Sequence, residues 1–130
     1  MKLTLIGAGY VGLVTGTRFA EVGHQVVCVD NDAAKIKLLQ SGGLLIYEPC
    51  LEELVKKNVA AGRLAFTTST TEGVQKSDAI VIATEWDEFK KLDLERARQS
   101  LTHPIMFDGR NLFDPADMER LGWIYQSVGR

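Results

Sequence analysis

An α/β domain built on one doubly wound parallel sheet is the fold class this sequence predicts, on three observations. Apolar runs bounded by turn residues recur along the chain, helix-forming segments fill the intervals, and a glycine-rich turn joins the first apolar run to the first of those segments. At 130 residues, 45% hydrophobic and 25% charged, the chain suits one compact domain, 1–130, rather than a disordered tail or several domains.

Each element has a local reason. Leu3-Thr4-Leu5-Ile6 is an apolar run stopped by Gly7, and a helix over about 10–22 follows the glycine turn. Gln25-Val26-Val27-Cys28-Val29-Asp30 is rich in β-branched residues and reads as the second strand. Asp32 is placed to cap a helix over 32–40, and Pro49, ahead of Glu52 and Glu53, suits the first turn of another over 50–61. Leu64–Thr68 is the third strand, and Ser69 or Thr70 caps a weak helix near 70–76. Asp78-Ala79-Ile80-Val81-Ile82-Ala83 is the fourth strand, followed by a helix over 92–101. Pro104–Asp108 makes a fifth strand, Asp114-Pro115 opens a helix over 115–121, and Trp123–Val128 makes a sixth strand. Right-handed crossovers then set the first and fourth strands side by side and give the order 3-2-1-4-5-6, a Rossmann-like arrangement.

Composition excludes several function classes. Fifteen basic and 17 acidic residues are interleaved for a formal charge of −2, so no basic stripe exists to meet the phosphates of a nucleic acid. No apolar stretch approaches the roughly 20 residues that cross a bilayer, so no membrane partner is expected. The apolar start imitates a secretion signal, but Gly7, Gly9 and Gly12 interrupt it and Arg18 and Glu21 follow. Two cysteines make no disulfide framework and no Cys/His cluster has metal-ligand spacing, which points to a reducing cytoplasm and to no metal site.

The chemistry is concentrated in Gly7-Ala8-Gly9-Tyr10-Val11-Gly12, which follows a strand and opens a helix. Gly7 permits the tight turn, Gly9 lets a diphosphate approach the backbone, and Gly12 lets the helix pack on the strand. Free amides at the helix start, around Tyr10 and Val11, face the anion. Asp30 ends the second strand 23 residues beyond Gly7, where a carboxylate accepts hydrogen bonds from the adenosine ribose and repels a 2′-phosphate, which favours NAD over NADP. The competing reading is a purely structural glycine turn.

The run from Met1 to about Ser69 resembles the start of the UDP-glucose/GDP-mannose dehydrogenase family. The residues that carry this resemblance are the glycine motif, Val29-Asp30-Asn31-Asp32 followed by Lys35, and Ile46-Tyr47-Glu48-Pro49 before Leu51-Glu52-Glu53-Leu54. It implies that Asp30 and Lys35 hold the adenosine ribose of NAD. Ala83-Thr84-Glu85-Trp86-Asp87-Glu88-Phe89, Phe107-Asp108-Gly109-Arg110-Asn111 and Ser127-Val128-Gly129-Arg130 resemble the end of the same family's C-terminal UDP-sugar domain. The chain then reads as residues 1 to about 76 of one Rossmann-like half joined to about 77–130 of the other, an internally deleted or chimeric form whose junction completes a single sheet. Thr84, just past the fourth strand, joins the cofactor-binding candidates.

The family's reaction holds an aldehyde on a cysteine thiolate beside oxyanion-stabilising groups. The loop bearing that cysteine is absent from this sequence. Cys28 belongs to a buried strand, where a thiol acts as a small hydrophobe, and Cys50 sits at a helix start as a free thiol. The resemblance gives Arg110 a contact with a UDP-sugar, the lesser ligand candidate. Glu85 and Trp86 stand where the nicotinamide half of the dinucleotide would lie. His24 and His103 read as surface turn residues, and Trp123 as core. The expected protein is therefore an NAD- and ADP-ribose-binding module, catalytically incompetent alone, with oligomeric state left open. The alternatives are an oxidoreductase whose partner chain supplies the cysteine, or a folded domain without a tight ligand.

Overall fold

The computed structural model describes residues 1–43, 50–83 and 93–129. Six strands form one parallel sheet in the order β3-β2-β1-β4-β5-β6: β1 Lys2–Ile6, β2 Gln25–Val29, β3 Leu64–Thr67, β4 Ala79–Ile82, β5 Ile105–Asp108 and β6 Ile124–Ser127. Among the described residues six helices accompany them: α1 Tyr10–Glu21, α2 Ala33–Gln40, α3 Leu51–Ala60, α4 Thr70–Val74, α5 Leu94–Ser100 and α6 Pro115–Arg120. The strand order is the one expected from right-handed crossovers, and most boundaries move by one or two residues. Trp123 precedes β6 rather than opening it, and it is buried as expected.

Helix starts follow side-chain chemistry. Asp32, Ser69, Asp93 and Asp114 each accept a backbone N–H of the following turn, and Pro115 occupies the first turn of α6. α3 is different: Cys50 is its N-cap in a left-handed conformation with φ 69°, and its side chain caps nothing. Pro49, expected in that first turn, lies outside the described residues.

The two faces of the sheet bury separate cores. One centres on Leu5, Leu13, Val26, Cys28, Leu51 and Val55 beneath α1, α2 and α3; the other centres on Ile6, Val29, Ile80, Ile82, Met106 and Met118 beneath α4, α5 and α6. Each fully buried branched side chain contributes about 1.5–3 kcal/mol. Register sets which side faces which core. Ile6 pairs with Val29 and with Ile82, so the three project to one face, while Leu5, Cys28 and Val81 project to the other. β1 therefore lies between β2 and β4 at the centre of the sheet, with its carboxyl end at the point where the chain direction of the crossovers reverses.

Candidate dinucleotide site

The site grows out of the carboxyl end of β1. Gly7 takes φ 113°, a conformation that side-chain-bearing residues avoid, and its N–H donates to Val29 O at 2.7 Å, so the turn stays tied to β2 while it leaves the sheet. Gly12 has a packing reason. A Cβ there would lie 2.1 Å from Gly7 O, so the first turn of α1 closes onto the loop only with glycine. Gly9 has neither reason: its φ is −74°, and a Cβ there would meet nothing within 4 Å. Neither backbone conformation nor packing requires glycine at this position, and the space over it is open.

The start of α1 has no capping side chain at its N-cap, Gly9, and no acidic residue lies in the first turn. Within the described residues every other helix has a capping side chain, an acidic residue in its first turn, or both. The amides at the start of α1 thus point their partial positive charge outward beside the half-buried Gly9 and the exposed Tyr10 and Val11.

Asp30 stands beside this loop, 1% exposed. Its Oδ2 accepts the Ala8 N–H at 2.9 Å and lies 3.5 Å from Lys35 Nζ, while its Oδ1 accepts the Asp32 N–H at 3.0 Å. Lys35 is held by α2, whose start is fixed by the Asp32 side chain accepting the Lys35 N–H at 3.1 Å. The structure therefore brings Gly7, Gly9, Tyr10, Val11, Gly12, Asp30 and Lys35 together at the carboxyl ends of the interior strands β1 and β2. Thr84 lies outside the described residues, as do Glu85 and Trp86. The residues fit a dinucleotide: open space over Gly9, a helix start whose N-cap is glycine, and a carboxylate with a neighbouring ammonium.

The remaining sequence candidates separate from it. Arg110 follows β5, with β4 between it and the glycine loop. Its N–H donates to Asp108 Oδ1 at 2.9 Å. Asp108 is a hub that the motif reading missed: its Oδ2 also accepts the N–H groups of Leu112 and Phe113 and the Tyr125 hydroxyl at 2.6 Å. An Asp-Gly pair closing a strand was the available signal. Cys28 is buried, and loss of solvent followed by the nearby Asp30 charge pushes its thiol from 9.0 up to about 12. Cys50 is exposed and free. His24 meets the edge of the Phe19 ring and accepts from the terminal amino group at 3.4 Å, whereas His103 is exposed. Among the described residues no three His, Cys, Asp or Glu side chains gather to hold a metal ion, and no helix is long and apolar enough to cross a membrane.

Comparison with known proteins places this geometry. The profile of the UDP-glucose/GDP-mannose dehydrogenase family, NAD binding domain, matches residues 1–103. UDP-glucose 6-dehydrogenase from Rhizobium meliloti is 55% identical over 83 residues, 64% of this chain and 19% of that protein. A UDP-glucose 6-dehydrogenase from Bacillus subtilis is 53% identical over 83 residues, again 64% of this chain and 19% of the relative. The matched segment thus spans about a fifth of these relatives. Among solved structures, a ternary complex of GDP-mannose dehydrogenase from Pseudomonas aeruginosa superposes with a TM-score of 0.78 at 23% identity, covering 98% of this chain and 35% of that one. The UDP-N-acetyl-mannosamine dehydrogenase from Staphylococcus aureus gives 0.72 at 26% identity, covering 95% and 34%. The fold is the Rossmann-like fold of these dehydrogenases.

Proposed function

Because the chain belongs to the UDP-glucose/GDP-mannose dehydrogenase family, which it matches through the NAD-binding domain, we propose that it is an NAD- and ADP-ribose-binding module that does not oxidise a sugar nucleotide by itself. The observation that carries this reading is the convergence of Asp30 and Lys35 on an uncapped helix start with open space over Gly9. The amides around Gly9, Tyr10, Val11 and Gly12 hold the diphosphate, and Asp30 with Lys35 holds the adenosine ribose. Thr84 is assigned to the same cofactor. The dinucleotide, when bound, supplies a hydride acceptor. The chain's own contribution is orientation and charge selection, since the Asp30 carboxylate rejects a 2′-phosphate.

Lack of independent catalysis follows from the cysteines. The buried Cys28 keeps its proton far above neutral pH, and Cys50 is the N-cap of α3, a helix that packs on α1 and β3 and has no part in the glycine loop. The reading extends to the origin of the chain: residues 1 to about 76 and about 77–130 form a single domain that joins the start of the NAD domain to the end of the UDP-sugar domain. The sequence motifs around Asp108 and Arg110 support this.

Titration calorimetry with NAD, ADP-ribose, NADP and UDP-glucose tests the reading. NAD and ADP-ribose should bind with similar affinity and NADP at least about tenfold more weakly, the difference expected for losing one charged hydrogen bond. No binding of NAD at millimolar concentration, or equal binding of NADP, overturns it. Tighter binding of UDP-glucose would shift recognition to Arg110. NADH production from UDP-glucose or GDP-mannose should stay at background, and a signal abolished by Cys50→Ser would show a misplaced nucleophile.

A further inference from the structure

We infer that Asp30 is also a positioning residue for the diphosphate: through Ala8 it fixes the glycine loop in its ligand-accepting shape before any ligand arrives. This rests on the functional reading above and adds to Asp30 a second role that does not involve ribose.

The main-chain ladder between β1 and β2 ends where Ile6 pairs with Val29. One further main-chain bond forms, from Gly7 N–H to Val29 O at 2.7 Å. Gly7 then turns the chain at φ 113°, and the next donor, the Ala8 N–H, has passed the end of β2. The Asp30 side chain takes the place of the missing carbonyl and accepts this N–H at 2.9 Å. A buried N–H left without an acceptor is costly, and Ala8 is 2% exposed, so the loop conformation is coupled to that carboxylate. The other carboxylate oxygen accepts the Asp32 N–H, which closes the turn into α2. One side chain therefore ties together the starts of α1 and α2, the two helices that flank the proposed ligand.

The carboxylate is buried, and a buried charge is tolerated only when it is paired and hydrogen-bonded. Lys35 Nζ at 3.5 Å supplies the opposite charge and limits the repulsion that Asp30 exerts on an incoming diphosphate. A residue that served only to receive ribose hydroxyls would have no need of the Ala8 bond.

The test separates the two roles with ADP and 2′,3′-dideoxy-ADP, which carries the diphosphate without the hydroxyls. Asp30→Ala, which keeps no side-chain oxygen to accept the Ala8 N–H, should weaken both, dideoxy-ADP by threefold or more, although the variant has lost a negative charge that opposes anions. If Asp30 acts through the hydroxyls alone, dideoxy-ADP binds the variant as tightly as the unaltered chain, or more tightly, and the inference is overturned. If the unaltered chain binds neither ADP nor ADP-ribose, the functional reading fails instead. A second measurement uses the unaltered, ligand-free chain. The Ala8 amide proton, buried and bonded to Asp30, should be protected from hydrogen exchange as well as the Gly7 amide proton that bonds Val29 O. Exchange of the Ala8 proton at the rate of an exposed loop amide overturns the inference whatever the binding results.

Discussion

At the scale of single residues, the three glycines of the loop answer to different forces, and substitution should separate them. Gly12→Ala forces a Cβ to 2.1 Å from Gly7 O, so the variant should lose about 1–3 kcal/mol of stability and its melting temperature should fall. Gly9→Ala meets nothing within 4 Å and keeps an ordinary φ, so its denaturation midpoint should match that of the parent while dinucleotide affinity drops at least tenfold. A Gly9→Ala protein that binds NAD normally would return the motif to a purely structural turn. Asp30→Ala should remove most of the preference for NAD over NADP, as read by parallel calorimetric titrations, because the acceptor for the ribose hydroxyls and the repulsion of a 2′-phosphate disappear together. The motif spacing made these residues legible in the sequence. The Ala8 bond to Asp30 was not, because it depends on where β2 ends relative to the loop.

At the scale of elements, α1 seats on β2 through a contact between Gly16 and Cys28. A Cβ at Gly16 would lie 2.9 Å from Cys28 Sγ, so Gly16→Ala should destabilise the protein by about 1–3 kcal/mol. Combining it with Cys28→Ala should restore part of that loss in a double-mutant cycle by urea denaturation, and strictly additive effects would sink the explanation. The same thiol makes stability fall in alkali. Its folded value is raised from 9.0 to about 12, so the folded state holds the proton longer, and the stabilisation present below pH 9.0 is lost as pH rises through about 12. Denaturation midpoints measured across that window, against Cys28→Ala as reference, check the sign. α1 is also tied to α3, where Glu21 accepts from Lys57 Nζ at 2.8 Å and from Asn58 Nδ2 at 2.9 Å. Those bonds hold the Glu21 carboxyl below its usual 4.5, so this tie strengthens the fold above pH 4.5 and loosens as the carboxylate protonates in acid.

At the scale of the molecule, β1 and β4 pair across the proposed junction, Leu3 with Ala79 and Ile6 with Ile82. The two sides of the sheet should then unfold together. In a Trp86→Phe background, the emission of the buried Trp123, near β6, should report the same urea midpoint as far-UV circular dichroism. Separate midpoints would mean that β3-β2-β1 and β4-β5-β6 are independent units, and the single-domain proposal would fail.

The element list, the strand order and the identity of the glycine loop were determined by the sequence itself. Hydrophobic period, capping residues and chain handedness act over a few residues, and they leave one topology open to a run of alternating strands and helices. Tertiary structure decided the rest. Only the finished sheet brings Asp30 within 2.9 Å of the Ala8 N–H, leaves the space over Gly9 unfilled, gathers four donors on Asp108 and seals Cys28 from solvent. Apart from the backbone donors that Asp108 takes from the turn just after it, these depend on atoms far apart in the chain whose separation is set by register and helix packing, and local sequence preferences do not encode such distances.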